Sequence, residues 1–171
     1  MTRGYLLLLV SLAGCAGYQI GNQGLYPQHI RTVYVPVVES NSFRRNLGER
    51  LTEAVAKRIE AVTPYKVVGS PDAADSILST RIYREGKNVV IGRNSGEPRE
   101  VEVDMQIEVS WMDAQSDMIR YGKADACPSQ IAAITAEGDL IAEVGHSVAT
   151  AQQQAIDRLA DQIVGLMEAP W

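Results

Sequence analysis

Apolar and polar positions alternate most regularly between Val101 and Trp111. Val101, Val103, Met105, Ile107, Val109 and Trp111 fall on one side, with Glu102, Asp104, Gln106, Glu108 and Ser110 on the other. A period of two over this length predicts a long strand with one buried and one wet face, hence an antiparallel sheet. Two other stretches carry the helical period. Phe43, Leu47, Leu51, Ala54/Val55, Ile59 and Val62 share a stripe opposite Arg44, Arg45, Glu49, Arg50, Glu53, Lys57, Arg58 and Glu60. Ser40, Asn41 and Ser42 offer N-cap oxygens ahead of it, and Pro64 disfavours helical geometry at Thr63 and closes it after about five turns. The mixed charges mark a solvated face over a core stripe rather than a membrane-surface helix. The second helix follows Val144, Val148, Ala151, Ala155, Leu159, Ile163 and Leu166/Met167, and Pro170 ends it.

Shorter segments complete the order. Arg31–Val38 reads as a strand with Val33, Val35 and Val37 on one face, placed at an edge or irregular because Pro36 lacks a ladder donor. Tyr65–Val68 and Ile77–Arg84 read as strands, with a turn at Asp72–Asp75 between them. Residues 85–100 form a Gly- and Asn-rich link carrying Lys87, Arg93 and Arg99. Asp113–Asp117 reads as a turn into a hairpin strand at Met118–Ala126, while 127–145 fits either short strands or a loop. Strand, helix, strands, hairpin and helix in this order predict an α+β two-layer sandwich, a mainly antiparallel or mixed sheet covered by two amphipathic helices.

The N-terminus adds a different signal. Arg3 precedes an apolar run from Leu6 to Leu12, and Leu12-Ala13-Gly14-Cys15 follows. This is the layout of an export signal with a small-residue cleavage site, and it is too short for a spanning helix of about 20 apolar residues. The four residues resemble the bacterial lipobox, in which the cysteine is lipidated and becomes the first residue. The alternatives are an ordinary export signal or a buried N-terminal strand. The expected division is a signal peptide at 1–14, a lipidated tether at 15–29 rich in Gly, Asn, Gln and Pro, and a single domain at 30–171.

Composition narrows the classes. With 46% apolar and 22% charged residues the chain is a folded domain rather than a disordered one. Its net charge of −5 becomes one unit more negative if Arg3 leaves with the signal, which argues against nucleic-acid binding. Cys127 is the only other cysteine, so lipidation of Cys15 leaves no internal disulfide. Beside Pro128, it reads as a small semi-buried residue rather than a nucleophile.

Candidate chemistry is sparse. His29 and His146 lack helical spacing to another ligand, which leaves zinc unsupported, and no metal or cofactor is expected. Asp72 and Asp75 suit a turn better than a cation site. His146-Ser147 suits a helix start better than a hydrolytic triad, with Ser147 as the N-cap. Glu102, Asp104 and Glu108 suit the wet face of a strand better than an acid–base pair. No nucleophile elbow or phosphate loop is present, and no catalytic residue is assigned.

The order of these features resembles the LptE family of lipopolysaccharide-assembly lipoproteins. The resemblance rests on the Cys15-Ala16-Gly17-Tyr18 opening, Ile30–Pro36, Phe43-Arg44-Arg45 before a helix, Ala74–Leu78 opening a strand, the alternating strand at 101–111 and the Leu159–Val164 ending. It implies a sandwich anchored by lipid at Cys15 that plugs the LptD β-barrel, helps it assemble and binds lipopolysaccharide. It also implies an outer-membrane location, with Ala16 rather than aspartate after the cysteine, and no catalytic residues. Lys87, Arg93 and Arg99, placed on an exposed link, are the expected contacts for lipopolysaccharide phosphates. The other readings are a different envelope-anchored accessory lipoprotein, of a secretion or structural apparatus, and an anchored hydrolase that gathers the scattered acids and His146.

Overall fold

In the computed structural model the described residues are 25–42, 44–92, 98–113, 132–141 and 145–168. The elements are β1 (Thr32–Tyr34), β2 (Glu39–Ser40), α1 (Leu47–Val62), β3 (Lys66–Val68), β4 (Ser76–Gly92), β5 (Pro98–Asp113), β6 (Ala132–Ile141) and α2 (Val148–Leu166). A single 3-10 turn, Pro71–Ala73, leads into β4. The sheet runs β3-β1-β4-β5-β6, with β2 also on the β4 edge. β1 pairs in parallel with β3 and β4, and β4, β5 and β6 are antiparallel neighbours. Two helices on a mixed, mostly antiparallel sheet make the α+β sandwich that the hydrophobic pattern predicts.

The periodicities account for the layers. Met105, Ile107, Val109 and Trp111 of β5 share one buried cluster with Leu47, Leu51, Val55 and Ile59 of α1 and Ile156, Leu159 and Ile163 of α2. The alternation of β5 fixes which face meets the helices, because a one-residue slip would turn every apolar side chain to water. Ser147 caps α2 by accepting from the Thr150 N–H at 3.1 Å.

Four local readings differ from the structure. The strand expected over Arg31–Val38 is split at Pro36. Val33 and Val35 point inward, Val37 is 65% exposed and Val38 is buried again, because the six residues Tyr34 to Glu39 lie against only five of β4, Ile77 to Arg81. Helix α1 begins at Leu47, with Asn46 (φ 61°) as its N-cap residue and no side-chain cap, whereas Ser42 turns its hydroxyl to Glu85 at 2.7 Å. Phe43 lies outside the described residues. The late start follows from a close approach: a Cβ at Gly48 would collide with the Val38 carbonyl, and the Thr52 hydroxyl donates to Gly48 O while accepting from Val38 N–H. Helix α1 closes as the pattern requires, with Thr63 N–H and Oγ1 both donating to Ile59 O ahead of Pro64.

The third difference lies at the proposed tether, whose last residues pack on the core. Tyr26 and Ile30 are buried, the Tyr26 ring meets Tyr65 edge-on at 5.7 Å, and Tyr65 donates to Pro27 O. Burial pushes the Tyr65 phenol well above its ordinary range. The fourth is the link at 85–100: β4 runs on through it to Gly92, and its partner β5 begins at Pro98. Gly86 and Asn88 have low strand propensity, but the alternating β5 supplies a ladder that overrides it. The ambiguous stretch resolves as β6 at 132–141, whereas the strand expected at 118–126 lies outside the described residues.

Asp75 ties the first strand to the sheet. Its carboxylate accepts the Arg31 and Thr32 N–H groups, both at 2.9 Å, and its own N–H donates to the Thr32 hydroxyl oxygen at 2.8 Å. These backbone donors hold its pKa below the ordinary aspartate range. The stabilisation is therefore complete above about pH 5 and is lost as pH falls through the lowered value. Asp75→Asn is expected to lower the melting temperature at pH 7 and to shrink the difference from wild type as the medium is acidified, read by thermal melts along a pH series.

Candidate functional site

The two faces of the sheet differ in kind. One is sealed by α1 and α2; the other carries Glu102, Asp104, Glu108, Glu137 and Asp139. Register sets Glu102 opposite Asp139 and Asp104 opposite Glu137, which brings four carboxyl groups together where β5 meets β6. Asp104 is the most enclosed, lying over Gly86, where a side chain would collide with it, and accepting from Asn88 Nδ2 at 3.2 Å. The Glu102 pKa is raised, first by a hydrogen bond shared with Glu137, then by burial and by the charges of Glu137, Asp139 and Asp104. Folded Glu102 thus holds its proton better than the unfolded chain does. The relative stability this gives is full below the unfolded glutamate value and is lost as pH rises through the folded one. Glu102→Gln is expected to raise the melting temperature at pH 7 and to have no such effect near pH 3. No group of three metal-ligating side chains among the described residues is arranged to hold a metal ion.

The other sequence candidates fall elsewhere. His146 Nδ1 lies 3.1 Å from Asp139 O at the entrance to α2, and the Ser147 hydroxyl lies 2.9 Å from Thr150 Oγ1, so the two serve the helix start. His29 Nε2 meets Asp113 Oδ2 at 3.2 Å, 63% exposed on the histidine side. Asp72 sits in the turn before β4. Cys15, Cys127 and Arg93 lie outside the described residues.

Lys87 and Arg99 belong to strands rather than to a loop. Lys87 is exposed on β4 opposite Val103, and Arg99 stands near the start of β5. The β4–β5 arm of the sheet, flanked by β6 as far as Glu100, thus holds them about four residues of strand apart, roughly 13 Å. Among the described residues Lys87 makes no ion pair. By contrast, the open groove between α1 and α2, of about 560 Å³, has two of its three cations ion-paired, Arg58 with Asp161 at 2.6 Å and Lys57 with Glu53 at 2.7 Å, while Arg50 donates to Gln153 at 2.7 Å.

Glu85 is the residue that sequence reasoning passed over. Its side chain is 7% exposed and receives Arg44 Nε at 2.7 Å, Gln152 Nε2 at 2.7 Å and the Ser42 hydroxyl. It joins the base of the arm to α2 and to the approach to α1. The available signal was Gln152, a polar residue on the buried stripe of α2, which calls for a buried partner.

An α+β domain with two helices on one face of a mixed, mostly antiparallel sheet is a fold found in bacterial lipoproteins. Lipoprotein B of Nitrosomonas europaea is 16% identical, covering 86% of this chain and 90% of that one, with a TM-score of 0.51. The rare lipoprotein B of Shewanella oneidensis is 14% identical over 80% and 93%, with a TM-score of 0.50. The hypothetical protein CT253 of Chlamydia trachomatis is 10% identical over 80% and 94%, with a TM-score of 0.56. At these identities the likeness establishes the fold alone. No curated protein sequence matches the chain. The family model described as LptE, lipopolysaccharide-assembly, matches residues 30–167 and so spans every strand and both helices. The chain belongs to the LptE family.

Proposed function

We propose that this protein is an outer-membrane lipoprotein, lipidated at Cys15 after removal of residues 1–14, that binds an LptD-type β-barrel and assists lipopolysaccharide assembly. The observation that carries the reading is the family match over the whole sheet-and-helix domain. The domain offers a partner three chemically distinct surfaces: an acidic sheet face, a largely charge-paired helical face and the β4–β5 arm with its cations. Residues 16–24 tether the domain to the membrane. No helix among the described residues is long and apolar enough to cross a membrane, in keeping with attachment through lipid. The deciding experiment is a mild-detergent pull-down of the tagged full chain from envelopes, with mass spectrometry. A near-stoichiometric outer-membrane β-barrel is the expected partner, and its absence overturns the reading.

Lys87, Arg93 and Arg99 remain the proposed contacts for lipopolysaccharide phosphates. A charge-assisted hydrogen bond contributes about 1.5–3 kcal/mol, so losing a contact weakens binding roughly tenfold or more. The double variant Lys87→Glu with Arg93→Glu is expected to show at least that loss in titrations with purified lipopolysaccharide, at unchanged melting temperature. Unchanged affinity removes these residues from the site.

A further inference from the structure

β4 is longer than the strands that flank its outer edge. β1 and β2 meet it only at residues 76–77 and 81–82, while β5 pairs with its other edge all the way to Gly92. Beyond Ile82 the outer edge has no strand partner among the described residues, and Asn41, Ser42 and Arg44 border an open hollow beside it at Tyr83–Glu85. Irregularities at Tyr83 and Val90 bracket a run from Arg84 to Val89 that stays in unbroken register with Gln106 to Val101. Six residues is the usual length of a strand. Three of the four exposed large apolar side chains among the described residues are here: Tyr83 at 64%, Val89 at 62% and Val90 at 55%. A row of unpaired backbone N–H and C=O groups flanked by exposed apolar side chains is a template for another strand, and native proteins ordinarily blunt or cover such an edge.

We propose that the outer edge of β4 at Arg84–Val89 receives one extended strand from the barrel partner, by β-augmentation, with an acidic residue facing Arg84 and no cations in the paired run. This rests on the barrel reading above and states how that partner is held. Backbone pairing supplies the affinity and the cross-strand side chains supply the choice of register. Charge selects the occupant. Arg84 and Lys87 are exposed and, among the described residues, make no ion pair, while the intervening Glu85 is already held by Arg44 and Gln152. A second copy of this chain suits the edge poorly: a two-fold antiparallel pair centres on a residue, and centring on Lys87 sets the two ammonium groups face to face, while centring on Gly86 sets Lys87 against a Glu85 that already has its partners. Wall strands of a closed barrel have both edges paired, so the added strand comes from a connection between wall strands or from a terminal segment.

A photo-crosslinking benzophenone amino acid placed in turn at positions 84, 87 and 89 of the full chain, in its own envelope, tests this, with position 37 as the exposed control. The expected result is that the three positions capture one run of the barrel. Crosslinked sites should move along it by three and then two residues in a constant direction, and Arg84→Glu should sharply reduce the yield from position 89. Capture of a second copy, sites scattered over the barrel, or no capture while the barrel still co-purifies each overturns the proposal and leaves the barrel reading standing. Failure to co-purify a barrel at all overturns both.

Discussion

Gly138→Val is expected to be the most damaging single substitution in the domain. Gly138 lies on the helix-facing side of β6, opposite Val103 of β5, and the first turn of α2 rests directly on it. A Cβ there would penetrate the Ala151 carbonyl and crowd the Ala151 Cα, all of it backbone. A flexible side chain could swing aside, but a helix turn can only translate. The start of α2 is also fixed by the Ser147 cap, the Asp139 N–H to Gln154 hydrogen bond at 3.3 Å and the Gln152–Glu85 contact. Moving it would loosen Ala151 and Ala155 and the apolar stripe that continues through Ile156 and Leu159. Overpacking of this kind costs about 3 kcal/mol or more, a drop of roughly 6–12 °C in melting temperature for a chain of this size. Gly138→Ala introduces the same first atom and is expected to lie in the same direction with a smaller effect. Calorimetry of the two variants checks the order, and an unchanged melting temperature for Gly138→Val would show that α2 does not sit on β6 as described.

Cys15→Ala is expected to have the largest effect on location. The proposed anchor is covalent lipid, and burial contributes about 0.8 kcal/mol per CH₂, so one chain binds weakly and two or three hold essentially permanently. Removing the thiol removes all of them at once. The variant should move from the membrane pellet to the soluble fraction after export and lose its mobility shift on electrophoresis, while the melting temperature of the domain stays the same. Sedimentation of Cys15→Ala with membranes through a high-salt wash would rule out lipid as the main attachment. Recovery of the barrel by the soluble variant would separate docking from anchoring.

The helical stripes, the β5 alternation and the α+β class were legible because each is a local period that a single buried face enforces. The candidate arm was legible only as composition. Gly86, Lys87 and Asn88 read as a loop, and became strand because β5 offers an unbroken ladder from Val101 to Gln106 and because Asp104 occupies the space a side chain at 86 would need. Tyr26 was hidden for a related reason. It is an isolated aromatic in a polar stretch, and its burial depends on Tyr65 and Trp111, the latter 85 residues away in the chain. Ser42 offers a suitable oxygen for an N-cap, but it accepts the Arg44 N–H ahead of the helix at 3.2 Å while its hydroxyl donates a charge-assisted bond to Glu85 at 2.7 Å.

The sequence by itself determined the two amphipathic helices, the long half-wet strand and the resemblance to a lipopolysaccharide-assembly lipoprotein that the family match then bore out. Those features are written in neighbouring residues, where side-chain period and local sterics act. Only the tertiary structure decided that the strand at 31–38 breaks at Pro36, that Glu85 is the buried acid joining the arm to α2, that β4 runs ten residues beyond its last parallel partner pair, and that four carboxyl groups gather between β5 and β6. Each depends on register between segments far apart in the chain. Register is a property of the assembled sheet, in which shifting one strand by a single residue exchanges buried for exposed side chains along its whole length.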